Sequence, residues 1–350
     1  MILKTFGWAF GVTVVALLGA LLVGGPSTLA LVAILAVLEI SLSFDNAVVN
    51  ATVLGRMSAF WQKMFLSVGI LIAVFGMRLV FPLLVVSATA HTSPVEAVRL
   101  ALAGGSVDHP GTYANLLQAA HPSIAAFGGM FLGLIFLDFV LEEREIAWLS
   151  WLERPLARIG RLDQLSVVVA LAALVIAAET LAAHPGTVMV SGALGVVAYL
   201  LVNGVGELFE TSETATGALA VGRAAFVLFL YLEVLDASFS FDGVIGAFAV
   251  SQNIFVIAVG LGVGAMYIRS LTVFLVRQGT LSEYVYLEHG AMWAIGALAV
   301  ILLVSIGHDV PQIVTGLIGV ALIAAAFVSS LVRNRRERVP TGDALPASEL

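Results

Sequence analysis

The sequence predicts an all-α membrane protein, a polytopic transmembrane helical bundle of about ten spans built as an inverted-topology repeat. Three observations carry the prediction. Charge is sparse in an apolar chain, the basic residues fall almost entirely on one side of the expected membrane, and an acid-bearing motif occurs twice inside apolar segments. Of 350 residues, 60% are apolar and 11% are Asp, Glu, Lys or Arg, against about 45–50% and about 25% in soluble domains. Cysteine is absent, which excludes disulfide scaffolds, thiolate metal sites and cysteine nucleophiles together. The net charge of −7 matters less than where each charge sits.

Apolar segments can be drawn at about 6–23, 29–50, 64–88, 122–141, 165–183, 187–206, 224–249, 253–276, 290–306 and 311–332. Each is close to the roughly 20 residues a helix needs to cross the hydrocarbon core. Their runs lack the alternation of barrel strands, so helices must satisfy the backbone in lipid. With the N-terminus inside, the inner loops and tails hold Lys4, Arg56, Lys63, Arg144, Arg154, Arg158, Arg161, Arg223, Arg277, Arg333, Arg335, Arg336 and Arg338. The outer loops hold Arg99 alone, and Arg78 and Arg269 lie within spans. This bias toward the cytoplasm supports an even span count with both termini inside. The segment behind Lys4 reads as a retained span, being long for the apolar region of a signal peptide.

The chain then divides into a first membrane half (1–141), a cytoplasmic amphipathic linker (142–164), a second membrane half (165–338) and a disordered polar tail (339–350). In the linker, Trp148, Trp151 and Leu152 recur at helical spacing among charges, the pattern of an interfacial helix. A plain connection between the halves is compatible with the same residues.

The repeat is specific. Leu38 to Asn46 (LEISLSFDN) and Leu235 to Gly243 (LDASFSFDG) align at an offset of 197, matching two acids and two serines. A second echo places Gly69 to Arg78 beside Gly260 to Arg269, and a weaker third places His121 beside His289. The acid helices are the second and seventh spans, so they run in opposite directions, and their site is expected near the bilayer midplane at the repeat interface.

A carboxylate at the centre of a span costs roughly 2.5–3.5 kcal/mol on insertion scales. Glu39, Asp45, Asp236 and Asp242 therefore need compensation. Arg78 and Arg269 can neutralise two of the four, leaving a deficit that a divalent cation would balance, although Asp138, Glu179 and Glu233 lie nearby and buried acids can hold protons. On a straight helix Glu39, Ser43, Asn46 and Asn50 share a stripe of about 60°, while Asp45 and Ser41 face elsewhere. Asp236 and Ser240 diverge in the same way from Ser238 and Asp242. Either the helix unwinds near the serines, which is the favoured reading, or its two acids serve different roles. An all-oxygen ligand set suits magnesium, calcium or manganese(II). The competing reading is that the acids are buried glue for helix packing. Asp138, followed by Glu142 and Glu143, is either a gate for the ion or a boundary charge. His121 and His289 read mainly as interfacial residues, and Glu207, Glu210 and Glu213 as a solvated acidic loop.

At LEISLSFDN, DASFSFDG and the Arg-bearing helices that follow, the sequence resembles the TerC family of integral membrane proteins, specifically a longer subgroup related to the lysine exporters. Better understood members of that family are implicated in manganese(II) efflux and in metal-ion or tellurite resistance. The resemblance implies an exporter in a bacterial plasma (inner) membrane whose ion site uses Glu39, Asp45, Asn46, Asp236 and Asp242. The chain departs from many members at Gly243, where a polar residue, usually Ser, is common.

The function expected is export of a divalent cation, manganese(II) foremost, by alternating access, with coupling to proton entry open. No resident cofactor is expected. The partners expected are the metal ion and the lipid bilayer, with room for a homo-oligomer and none for nucleic acid. No phosphate-binding loop is present, and the GxGD of intramembrane aspartyl proteases is missing, so an enzyme is not expected. A non-transporting scaffold and an amino-acid exporter are the rival readings.

Overall fold

The computed structural model describes residues 2–162, 164–213, 219–277 and 283–338, without the side chains of 2–4, 42, 205–213, 241, 242, 249, 312, 337 and 338. The expected polar tail, 339–350, and the side chains of Glu207, Glu210 and Glu213 lie outside the described residues.

Among the described residues the protein is all helix, with one isolated bridge between Met57 and Ala220. The helices are α1 (Ile2–Leu42), α2 (Phe44–Leu54), α3 (Ala59–Leu71), α4 (Phe81–Thr89), α5 (Pro94–Ala103), α6 (Tyr113–Leu141), α7 (Ser150–Ile159), α8 (Leu165–Leu181), α9 (Pro185–Glu213), α10 (Gly222–Val250), α11 (Ile254–Arg277), α12 (Leu287–Ser305) and α13 (Gln312–Arg338). A π-helical stretch, Ile72–Val80, joins α3 to α4.

Among the described residues, eight helical segments are long and apolar enough to cross a membrane. The ten expected spans map onto them once two features are considered. The 37-residue segment Thr5–Ser41 would extend about 55 Å as a straight helix, well beyond a hydrocarbon core of about 30 Å. It bends at Gly25, whose φ of 74° lies in the left-handed region that glycine adopts without strain. Pro26 follows and has no N–H to donate. The first expected span and the greater part of the second, up to Leu42, are therefore the two arms of α1. The other difference is α8, whose 17 residues stand at the lower limit for a crossing.

The linker contains the expected helix, α7, with Trp151 exposed and Glu153 buried. Helix α5 was not anticipated. Its start is nonetheless written in the chain: Ser93 accepts the Glu96 N–H at 3.2 Å and Pro94 opens the first turn, a side-chain cap that satisfies an otherwise unpaired backbone donor.

Among the described residues, the two largest of four apolar clusters hold most of the helices. One joins α2, α6, α8, α9, α10 and α12 around Phe131, Leu174, Leu235 and Ile295. The other joins α1, α4, α5, α6, α10 and α11 around Leu35, Val86, Tyr113 and Phe248. Val15, Leu22 and Val23 of α1 stay exposed, as expected of a lipid-facing surface. On α11, Gly260 and Gly264 meet Leu35 and Glu39. A Cβ at Gly264 would stand 2.4 Å from Glu39 Cβ, so this small-residue face lets the two helices approach closely and sets the position of the first acid.

Candidate functional site

The second expected span, 29–50, is two helices. α1 ends at Leu42 and α2 begins at Phe44, with Ser43 between them at φ −102° and ψ 16°. The single stripe from Glu39 to Asn50 is therefore interrupted, and Glu39 and Asp45 belong to different helices. Ser43 N still donates to the Glu39 carbonyl at 2.9 Å, while Ser43 Oγ donates to Glu39 Oε1 at 3.2 Å. Asp45 occupies the first turn of α2, where a carboxylate complements the helix dipole. Its Oδ1 accepts the Asn46 N–H at 2.9 Å. Its Oδ2 faces Gly319 of α13, where a Cβ would approach to 2.6 Å, so a side chain at that position would collide with the carboxylate.

The second motif lies in the unbroken helix α10. Asp236 is 4% exposed and joins a dense network. Arg269 Nη2 donates to Asp236 Oδ2 at 3.3 Å, and the two terminal nitrogens grip Glu233 at 3.1 and 3.2 Å. Arg269 Nη1 also donates to the Phe65 carbonyl at 3.3 Å, and its guanidinium lies 4.1 Å from the centre of the Phe65 ring. Such a forked Arg–carboxylate contact fixes geometry as well as charge. Arg78, within the π-helical stretch, pairs with Glu39 and donates to the Ala73 carbonyl at 2.7 Å. π-Helical turns recur at functional sites.

One hydrogen bond joins the motifs directly: Asn46 Nδ2 donates to Asp236 Oδ1 at 2.8 Å. Gly243 also borders the first motif, since a Cβ there would lie 3.1 Å from Glu39 Oε2. The structure thus brings Glu39, Ser43, Asn46, Arg78, Asp236 and Arg269 into one polar region, with Asp45 next to it in sequence but its carboxylate turned toward Gly319 of α13. The side chain of Asp242 lies outside the described residues, although its backbone is part of α10. Several buried polar atoms have no hydrogen-bond partner among the described residues: Asn46 Oδ1, both amide atoms of Asn50, Ser240 Oγ and the Nε atoms of Arg78 and Arg269. Among the described residues no three Asp, Glu or His side chains form a group able to hold a metal ion. Oxygens not engaged by a charged partner among the described residues are those of the Asp45 carboxylate and the amide oxygens of Asn46 and Asn50, whereas the Glu39 carboxylate is taken by Arg78 and Ser43.

Other expected supporting residues stand elsewhere. Ser41 is exposed and donates back to the Val37 carbonyl, and Ser238 does the same to Val234. Neither turns its hydroxyl to the acids. Asp138 accepts the Tyr199 hydroxyl and lines a separate cavity. His289 is buried against Glu153 of α7, 3.2 Å away, and Trp293 Nε1 donates to the same carboxylate at 3.0 Å. His289, in the first turn of α12 as expected of a residue at a span entrance, is in addition part of the anchor of the linker helix. His121 lies within α6, which begins earlier than expected, at Tyr113.

The residue underweighted from sequence is Glu233. It precedes Asp236 by three positions, a spacing that places two side chains on one helix face, and so both reach a single arginine.

No curated protein and no solved structure matches the chain. A family model described as a protein of unknown function (DUF475) matches residues 44–337. The match opens at Phe44, the first residue of α2 after the break, and runs through Asp45, Asn46, Asp236 and Asp242. It covers well over half of the sequence, and the chain accordingly belongs to the DUF475 family.

Proposed function

We propose that the protein is a membrane transporter that exports a divalent metal cation, with manganese(II) the first ion to test. The observation that carries this reading is Asp45, a buried carboxylate at the start of a broken helix that makes no ion pair among the described residues. Beside it Asn46 reaches across to the second motif and keeps an unpaired amide oxygen. Broken helices with acids near the midplane are the usual construction of ion sites in secondary transporters, and an intramembrane acid is most often functional.

The resemblance of both motifs to the TerC family supports an exporter, and the inverted repeat supports alternating access, with the halves rocking about the site. Asp242 is assigned to the site by that resemblance. Proton entry through one acid of each pair would drive export, since the chain has no nucleotide-binding motif. The basic-residue bias supports cytoplasmic termini, and the family resemblance supports a bacterial plasma membrane.

A second reading is favoured by one observation. Glu39 is paired with Arg78, and Glu233 and Asp236 with Arg269, as in a non-transporting scaffold whose ion pairs fix helix packing. Flux through purified protein in liposomes separates the two. Manganese(II) movement that is lost in Asp45→Asn and Asp242→Asn is the expected result. Movement unchanged by both substitutions would sink the site, and absence of movement in the unaltered chain would favour the scaffold.

A further inference from the structure

A cavity of about 570 Å³ opens beside the C-terminal end of α2, lined by Thr52, Asp138, Tyr199, Asn203 and Tyr231, with Arg56 and Glu288 nearer its rim. This far exceeds the roughly 10–15 Å³ that one water requires, and the lining is polar enough to keep water inside. The cavity wall also includes Val53. Asn46, Asn50 and Val53 follow one another at i, i+4 and i+7 on one face of α2. That face rises about 10 Å from the Asn46–Asp236 contact to the cavity.

Asn50 is the middle step. It is 1% exposed, and among the described residues neither its amide oxygen nor its amide nitrogen has a partner. Leaving a buried polar atom unpaired costs about 1–3 kcal/mol, and such an atom in a native fold calls for an explanation such as a water or an ion. Its neighbour on the same face, Asn46, leaves its amide oxygen unpaired as well. Two amide oxygens one helical turn apart, both unpaired among the described residues, stand between the Asn46–Asp236 contact and a cavity large enough for many waters, a ladder of acceptors suited to a hard cation that exchanges its waters one at a time.

We propose that the Asn46–Asn50 face of α2 is a polar route by which a hydrated divalent cation passes between the Asp45–Asp236 region and the Asp138 cavity. The route rests on the transporter reading for its cargo. Its existence as a water-accessible path does not.

The absence of cysteine allows a direct test in membrane vesicles. Single Thr52→Cys, Asn50→Cys and Val37→Cys chains are exposed on either face to a cationic, membrane-impermeant thiosulfonate. Val37 is exposed on the lipid-facing surface of α1 and serves as the unreactive control. Position 50 is expected to react from the same face as position 52, at a rate within about tenfold of it once thiol ionisation is matched. Manganese(II) is expected to slow position 50 more than position 52. A thiol at 50 as silent as that at 37 overturns the route, and reaction without manganese(II) protection overturns the cation as its occupant. If Asn50→Cys does not fold, Asn46→Cys replaces it under the same criteria. Flux without labelling removes the route and leaves the transporter reading. Labelling with manganese(II) protection but without flux upholds the route as a cation-accessible path and removes the transporter reading.

Discussion

In the first motif the chain leaves helical geometry at Ser43, whereas in the second α10 runs unbroken through Asp236, Ser238 and Ser240. The paired residues explain much of the contrast. Glu39 has one more methylene than its counterpart Asp236, and its carboxylate receives the Ser43 hydroxyl at 3.2 Å. Asp236 is shorter, its oxygens are taken by Asn46 and Arg269, and Ser240 Oγ is left unpaired. Glu233 stands where the first copy has Ala36, at the same offset of 197. Arg269 therefore has two carboxylates, a carbonyl and an aromatic face, while Arg78 has one carboxylate and the Ala73 carbonyl. A duplicated sequence pattern has thus produced an unbroken helix with a doubly paired arginine in the second copy and a broken helix in the first, and under the proposed transport the second copy would be the anchor and the first the adjustable joint. In a rocking transporter, movement would concentrate at Ser43 and the π-helical stretch.

The strongest way to break this contrast is to remove each arginine. Arg269→Met leaves Glu233 and Asp236 buried without a cation, and removing one partner of a buried pair costs about 3–5 kcal/mol. Thermal unfolding in detergent should show a larger loss for Arg269→Met than for Arg78→Met. Equal losses would mean that the copies are equivalent anchors. Next in size is the separation of stability from flux. Asp45→Asn removes no ion pair, so its unfolding midpoint should shift by less than about 1 kcal/mol equivalent, while manganese(II) flux in liposomes falls about tenfold or more. Glu233→Gln should do the reverse, lowering stability first. A common pattern for both variants would dissolve the assignment of roles.

The sequence exposed this asymmetry only in part. The membrane fold was legible because sparse charge leaves few ways to arrange the chain, and Glu39, Asp236, Arg78 and Arg269 were legible because the repeat marks them. Angular spacing predicts a break near the serines in both copies, and the structure corrects this in one: the chain breaks at Ser43, but α10 runs unbroken through the second motif, where Asp236 is already held by Asn46 and Arg269. Three features required three-dimensional structure. The Glu233–Arg269 pair depends on which helix face meets α11. Glu153 looked like one more charge on an interfacial helix, yet it is buried between His289 and Trp293, a contact 136 positions apart in sequence. The bend at Gly25 merged two expected spans, because Gly followed by Pro interrupts a helix without requiring a loop.

Smaller effects sharpen the contrast at the serines. Ser43→Ala removes a hydrogen bond to a carboxylate and should cost about 1–2 kcal/mol in thermal unfolding. Ser240→Ala removes a hydroxyl that has no partner among the described residues, so it should be neutral or mildly stabilising. A loss at both positions would place hidden structure around Ser240 and weaken the reason offered for the break.

The smallest effect is expected at Gly243, which separates α10 from Glu39. A Cβ there would lie 3.1 Å from Glu39 Oε2, a contact that the end of a flexible side chain can relieve by moving a few tenths of an ångström. In Gly243→Ser the new hydroxyl can donate to that oxygen, offsetting the crowding by about 1 kcal/mol. The unfolding midpoint should therefore hardly change if the first motif is the adjustable one. A fall as large as that of Ser43→Ala would mean that Arg78 pins Glu39 as firmly as Arg269 pins Asp236. The joint would then have to be sought in α2 itself, on the Asn46–Asn50 side of the break.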